Sequence, residues 1–128
     1  MNKNVIIVDD SKLSRMHLRG IVLRHRPEWT VSEAANALEL FQELDKGNIH
    51  IAIIDYNMPG MNGLDAAMEV RQRHPDVHIA MVTANAQDAV VAGIRALGAA
   101  FLPKPVDEEQ IKHFLASTLL PRRPAAAP

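Results

Sequence analysis

The stretch Asn4-Val5-Ile6-Ile7-Val8-Asp9-Asp10 (residues 4–10) decides the fold, because an unbroken apolar run ends there in two adjacent acids. A short apolar run without alternation is typical of a strand that is buried on both faces of a parallel sheet. The same pattern recurs at residues 49–55, where isoleucines precede Asp55. We therefore predict two buried strands that each end in carboxylates.

On either side of these two strands, short apolar runs alternate with longer stretches in which apolar residues recur at helical spacing. In the second helix we expect Leu38, Phe41 and Leu44 to form the buried face. The alternation predicts an α/β fold: a five-stranded parallel sheet in the flavodoxin-like order 2-1-3-4-5, with helices on both faces. The predicted strands are 4–8, 30–34, 49–55, 78–83 and 100–102, and the predicted helices are 11–25, 37–44, 64–74, 86–97 and 107–119.

The composition fits one cytoplasmic domain. The chain has 128 residues, 48% of them hydrophobic, and a net charge of -1, which gives no general attraction to nucleic acid or to anionic membrane. The sequence has no cysteine, so disulfides and thiolate zinc sites are excluded. No apolar run approaches the roughly 20 residues that a membrane-spanning helix needs. We predict a domain over residues 1–120, followed by a tail or the start of a linker, rich in Pro, Ala and Arg, over 121–128.

Five basic residues fall within the first helix and its end. The ordinary interpretation is a solvated helix face, and the alternative is a docking surface for an acidic partner. They are Lys12, Arg15, Arg19, Arg24 and Arg26.

Three acids are expected to meet at one edge of the sheet. Asp9 and Asp10 end the first strand and Asp55 ends the third, and these two strands are neighbours in the predicted order. Carboxylates packed together repel one another unless a cation neutralises them. Oxygen ligands without His or Cys favour a hard ion such as Mg²⁺. The alternative is that Asp9 and Asp10 merely cap the first helix.

Two further polar residues follow strands at the same edge. Thr83 ends the fourth strand, and alone it is typical of a turn or a cap. Lys104 follows the fifth strand between Pro103 and Pro105, which restrict its backbone and direct its ammonium group toward the acids. A cation opposite carboxylates and a metal ion is suited to bind phosphate.

Four segments of the sequence resemble the signature blocks of response-regulator receiver domains, the phosphorylation switches of two-component signalling. The resemblance covers residues 3–119, and the four segments occur in the family's order and spacing. They are Val8-Asp9-Asp10-Ser11, Ile54-Asp55-Tyr56-Asn57-Met58-Pro59-Gly60-Met61-Asn62-Gly63, Val82-Thr83-Ala84-Asn85 and Phe101-Leu102-Pro103-Lys104-Pro105.

The resemblance implies a role for each acid. Asp55 is expected to be the nucleophile that forms an acyl phosphate. Asp10, Asp55 and the backbone carbonyl of Asn57 are expected to bind Mg²⁺, with Asp9 acting through water. Such a protein is not an enzyme in the usual sense, because it catalyses only its own phosphorylation and dephosphorylation.

The resemblance also implies a switch and its partners. Lys104 is expected to pair with the phosphoryl oxygens, Thr83 to turn its hydroxyl toward them, and Phe101 to rotate inward in response. The Lys104–Pro105 peptide bond is expected to be cis. The phosphoryl donor is a sensor histidine kinase or a histidine phosphotransfer protein, and the effector docks on the fourth helix, fifth strand and last helix.

The output pathway is left open. One hypothesis is a stand-alone switch that acts by docking on a partner, with no direct contact to nucleic acid or membrane. The alternative is the receiver of a larger regulator whose DNA-binding or enzymatic output domain follows the linker near Pro121. Two other classes fit poorly. A dehalogenase-type phosphatase needs an Asp-x-Asp pattern after the first strand, and a flavodoxin needs a Ser/Thr/Gly-rich loop there.

Overall fold

The fold is a single parallel sheet between two layers of helices. The computed structural model describes residues 2–122. All strand pairs are parallel, and the sheet order is β2-β1-β3-β4-β5, which confirms the predicted fold class. The elements are β1 (Asn4–Val8), α1 (Lys12–His25), β2 (Thr30–Ala34), α2 (Ala37–Asp45), β3 (Ile51–Asp55), α3 (Gly63–Arg73), β4 (His78–Thr83), α4 (Asp88–Ala96), β5 (Ala100–Pro103) and α5 (Glu108–Ser117).

The sheet separates two hydrophobic cores. Successive side chains of a strand point to opposite faces, so Ile6 and Val8 of β1 enter one core while Val5 and Ile7 enter the other. The first core packs β1, β3 and β4 against α2, α3 and α4, and the second packs the sheet against α1 and α5. Burial on both faces explains why the central strands lack polar alternation.

The prediction for the buried face of α2 is wrong at one position. Leu38 is 66% exposed, whereas Ala37, Leu40 and Leu44 are buried and Phe41 packs against the first core. With 3.6 residues per turn, positions 38 and 44 lie roughly 120° apart around the helix and therefore do not share a face.

Element boundaries also differ from prediction by up to two residues. The third strand begins at Ile51 rather than at residue 49, and α4 spans Asp88–Ala96 rather than 86–97. Asp107 caps α5 as its side chain accepts a bond from the Glu109 amide. Of the predicted tail, residues 123–128 lie outside the described residues. Among residues 2–122, none of the helices is long and apolar enough to span a bilayer.

Lys12, Arg19 and Arg24 are exposed, as a solvated helix face requires, and several of the basic residues also contact the protein itself. Arg15 and Arg19 pair with Glu33 of β2, and Arg24 pairs with Glu108 of α5. These pairs join α1 to its neighbours on both sides. The alternative of a docking surface for an acidic partner stays a prediction.

The strand ladders continue past the carboxyl ends and align the candidate site residues. The Asp9 amide donates to the Ala34 carbonyl at 3.1 Å, and the Lys104 amide donates to the Thr83 carbonyl at 2.9 Å. Pro103, at the edge of the sheet, lies opposite Thr83 in the register. An edge strand tolerates proline because its outer side needs no donor. The carboxyl end of the sheet therefore holds together four candidate site residues: Asp9, Asp55, Thr83 and Lys104.

Gly63 and Gly20 provide a matched pair of stability tests. A Cβ atom on Gly63 would lie 2.2 Å from the Asp55 carbonyl oxygen, whereas a Cβ atom on Gly20 in α1 meets nothing within 4 Å. We expect Gly63→Ala to cost at least roughly 1–3 kcal/mol, because backbone must move. We expect Gly20→Ala to stabilise by about 1 kcal/mol through helix propensity. Urea denaturation of both variants measures this, and wild-type stability of Gly63→Ala would contradict it.

Candidate functional site

Three carboxylates converge at the carboxyl edge of β1 and β3. Asp9, Asp10 and Asp55 each offer an oxygen, and these oxygens all lie within 4.8 Å of one another. Asp9 and Asp55 are buried, at 3% and 4% exposure, while Asp10 is exposed. The structure thus brings together the three acids that the sequence predicted to meet.

The alternative explanation of Asp9 and Asp10 as helix caps is wrong. Ser11 is the N-cap of α1, and its side chain accepts a hydrogen bond from the Ser14 amide. The Asp9 carboxylate instead accepts from the Ser11 amide at 2.9 Å, which folds the loop tightly after β1. The Asp10 side chain is therefore not needed to begin the helix.

Burial and crowding both act on the Asp9 carboxyl. Burial raises the pKa of Asp9 above its ordinary value, and the negative charges of Asp55 and Asp10 raise it further. The Ser11 amide and the Lys104 ammonium oppose this rise in pKa. The pocket is therefore short of positive charge, because a carboxylate resists ionisation where its neighbours are acidic.

Lys104 supplies one cation to the pocket. Its Nζ lies 2.8 Å from Asp55 Oδ1, with 35% of the lysine side chain exposed and 5% of the aspartate side chain exposed. The Lys104–Pro105 peptide bond is cis, the isomer that the family resemblance implies. The backbone on both sides of Lys104 is fixed, by the bond to the Thr83 carbonyl before it and by Pro105 after it.

The same Asp55 oxygen can still accept a further partner. Oδ1 is buried, and among the described residues no donor reaches it with hydrogen-bond geometry, so its contact with Lys104 is an ion pair only. A buried carboxylate oxygen without a hydrogen bond is costly unless another partner satisfies it. With two further acids nearby and no nitrogen or sulfur ligand in the cluster, the donor set fits a hard divalent cation such as Mg²⁺.

Thr83 and Phe101 lie on the same face of adjacent strands. Phe101 pairs with Met81, and Thr83 lies two residues further along β4, so both side chains point toward the first core. Thr83 is fully buried, and its hydroxyl accepts a hydrogen bond from the Asn85 amide at 3.0 Å. Phe101 is partly buried and packs against the first core. Thr83 and Phe101 therefore share one face of the sheet on adjacent strands.

The loop after β3 folds back over Asp55. The Gly63 amide donates to the Tyr56 carbonyl at 2.8 Å, and Gly60 has a φ of 80°, a left-handed conformation that favours glycine. Asn57 lies in this loop and is exposed. The role of its carbonyl as a metal ligand stays a prediction.

One contact at the site was missed by sequence reasoning. Arg15 Nη1 donates to the Asp9 carbonyl at 2.7 Å while Arg15 Nε contacts Glu33 at 2.9 Å. Arg15 and Glu33 are 18 positions apart and lie on different elements, so no local pattern indicates the pair. The only signal was the basic content of α1, which is equally typical of a surface helix.

A cleft opens beside the acids. It has a volume of about 550 Å³ and is lined by Asp9 and Lys104 on the polar side and by Leu13 and Leu18 of α1 on the apolar side. Asp9 and Lys104 of the site therefore border an opening between α1 and the segment after β5.

Comparison with known proteins gives one consistent result. The family model described as "response regulator receiver domain" matches residues 5–116. The chemotaxis protein CheY of Thermotoga maritima is 33% identical over 112 residues, which cover 87% of this chain and 92% of that protein. The cyclic di-GMP phosphodiesterase response regulator RpfG of Xanthomonas campestris is 30% identical over 112 residues, which cover 85% of this chain.

The relatives differ in length, because the matched part spans only 30% of RpfG. Among solved structures, the chemotaxis protein CheY4 of Vibrio cholerae superposes with a TM-score of 0.82 at 26% identity, covering 92% of this chain and 99% of that one. The family match, the sheet order and the relatives agree, and the chain belongs to the response-regulator receiver domains.

Proposed function

We propose that this chain is a phosphorylation switch in which Asp55 accepts a phosphoryl group. The observation that carries the proposal is the buried Asp55 carboxylate, 2.8 Å from the Lys104 ammonium and clustered with two further acids. The donor is a phosphohistidine on a sensor histidine kinase or on a histidine phosphotransfer protein, the class of donor that serves this family. The cleft between α1 and the segment after β5 borders Asp9 and Lys104 of the site.

The proposed reaction needs little from the protein beyond position and charge. A carboxylate oxygen of Asp55 attacks the phosphorus atom, the new O–P bond forms, and the P–N bond to the donor histidine breaks with its electron pair on the imidazole nitrogen. Asp55 needs no general base, because a carboxylate has no proton to give up before it attacks. Lys104 stabilises the phosphoryl oxygens as they approach Asp55.

Mg²⁺ is the proposed cofactor. Asp10, Asp55 and the backbone carbonyl of Asn57 would hold it, with Asp9 acting through water. The support is the cluster of carboxylate oxygens and the unsatisfied Asp55 Oδ1. The ion would supply positive charge to offset that of the acids and the phosphoryl group.

The proposed switch starts at Thr83. In the unphosphorylated state its hydroxyl oxygen accepts a hydrogen bond from the Asn85 amide. This hydrogen bond breaks when the hydroxyl turns toward the phosphoryl group. Phe101, on the same face of β5, then moves inward into the vacated space. Because α4 begins shortly after Asn85, both movements reach the face formed by α4, β5 and α5, where a downstream effector binds.

Two outputs are compatible with the relatives. One is a stand-alone cytoplasmic switch, with residues 1–120 as the receiver and 121–128 as a tail, like the chemotaxis CheY of which the match covers 92%. The alternative is the receiver part of a larger regulator with a DNA-binding or enzymatic domain, supported by the match to 30% of RpfG. The full reading frame of the gene separates the two.

Phosphorylation chemistry gives the first test of the function. We expect Asp55→Asn to reduce labelling by acetyl phosphate to background, because an amide oxygen is not an effective nucleophile here. Asp65→Asn, an exposed acid of α3 outside the pocket, serves as the matched control and is expected to label like the wild type. Stable labelling of Asp55→Asn that resists mild alkali would exclude Asp55 as the acceptor.

Thermal stability tests the metal pocket. At 4.8 Å, the upper limit of the oxygen–oxygen separations in the cluster, and an effective dielectric constant near 20, ionised Asp10 repels each of its two ionised neighbours by at most on the order of 3 kcal/mol, and by less because Asp10 is exposed. We expect Asp10→Asn to raise the Tm in EDTA, with roughly 2–8 °C for each kcal/mol of repulsion removed.

We expect Mg²⁺ to stabilise the wild type by about 2.7 kcal/mol at a hundredfold excess over its Kd, and to stabilise Asp10→Asn much less. Melts of both proteins with and without Mg²⁺ measure the two effects. A lower Tm for Asp10→Asn in EDTA, together with no response of either protein to Mg²⁺, would show that the acids do not form one metal pocket.

Amide NMR tests the switch. We expect a beryllium trifluoride mimic with Mg²⁺ to shift amide resonances along α4, β5 and α5 as well as in the loops at the site, because Thr83 and Phe101 border that face. The same additions to Asp55→Asn serve as the control and should leave the spectrum unchanged. Shifts confined to the loops around Asp10 and Asp55 would contradict the proposed switch.

A further inference from the structure

The peptide group between Asp9 and Asp10 fixes the directions of both side chains, so whatever holds this peptide also sets the geometry of the acids. Its carbonyl oxygen belongs to Asp9. Among the described residues, no backbone N–H donates to this oxygen. A carbonyl at the end of a central strand would ordinarily accept the next bond of the ladder.

The missing bond has a local cause in β2. That strand ends at Ala34. Because the Asp9 amide donates to the Ala34 carbonyl, the amide in register with the Asp9 carbonyl is that of Asn36. Asn36 is instead the N-cap of α2, with its side chain accepting from the Glu39 amide. The chain therefore turns into α2 before the Asn36 amide can extend the ladder to the Asp9 carbonyl.

Arg15 takes the place of that backbone donor. Its Nη1 donates to the Asp9 carbonyl at 2.7 Å, and its Nε donates to Glu33 Oε1 at 2.9 Å. The Arg15 side chain is only 15% exposed, so its position is restricted by packing as well as by these bonds. A planar guanidinium group holds two acceptors at fixed angles, whereas the donors of an ammonium group rotate on a flexible stem.

We infer that Arg15, oriented by Glu33, is a positioning residue for magnesium binding, an inference that rests on the proposed function. Arg15 touches no carboxylate of the pocket; it acts through the peptide that joins Asp9 to Asp10. Outer contacts that orient metal ligands typically contribute 10–100-fold to metal affinity. The Arg15–Glu33 pair is thus part of the metal site although both residues lie outside it.

Arg19 provides a matched control on the same helix. It also reaches Glu33, at 3.4 Å, and it also donates to a backbone carbonyl, that of Val31 at 3.1 Å, but it makes no contact with Asp9. Arg15→Met and Arg19→Met each keep an apolar stem and remove one guanidinium group that pairs with Glu33. The two variants therefore differ mainly in the bond to the Asp9 carbonyl.

The test is a Mg²⁺ titration of the wild type and both variants, with the amide NMR spectrum as the readout. We expect Arg15→Met to weaken Mg²⁺ binding roughly tenfold or more, and Arg19→Met to remain within about twofold of the wild type. We also expect faster hydrogen exchange of the Ser11 amide in Arg15→Met without metal, because that amide is bonded to the Asp9 side chain. Equal affinities of the two variants would overturn the inference.

Two further outcomes are distinguishable. A wild-type protein that does not bind Mg²⁺ would contradict the proposed function rather than the role of Arg15. If Arg15→Met does not fold, Arg15→Lys decides, since lysine keeps the charge but lacks the planar group that holds both acceptors at fixed angles. An intermediate loss of affinity in Arg15→Lys supports positioning, and wild-type affinity overturns it.

Discussion

The parallel ladder between β1 and β3 is the constraint on which the rest of the structure depends. It pairs Val8 with Ile54, and the residues that follow these two are the acids Asp9 and Asp55. A shift of one residue in this register would turn every side chain of a strand to the opposite face, which would disrupt both cores. The hydrophobic burial of the central strands thus fixes the spacing of the carboxylates. The free energy of burying these strands offsets the electrostatic repulsion between the acids.

That repulsion is only partly answered within the chain. Lys104 pairs with Asp55, and the Ser11 amide bonds to Asp9, yet the pKa of Asp9 is still raised by burial and by its acidic neighbours. A site whose negative charge was fully neutralised would attract a cation only weakly. The stability given up at this edge is typical of functional sites, where local interactions conflict with the demands of folding.

The sequence predicts the sheet order and the meeting of the acids because both follow from short-range patterns: apolar runs that end in polar residues, and helices between them. It fails at one position through local helix geometry and elsewhere where long-range geometry decides. Leu38 was placed in the buried face of α2 by spacing alone, but its angle around the helix leaves it exposed. The bond from Arg15 to Asp9 depends on where β2 leaves the sheet, which no pattern within α1 reveals. The role of the Asn57 carbonyl depends on loop conformation and was accessible only through family resemblance.

The two cores have a consequence for protein engineering. Phe101 and Met81 belong to the core that packs against α4, whereas Ile111 and Leu115 belong to the core beneath α1 and α5. The sheet separates the two cores, so a change in the packing of one core has little effect on the packing of the other. A designer who wants a more heat-resistant protein can therefore repack the second core with little change to the packing of the first core, which contains Met81 and Phe101.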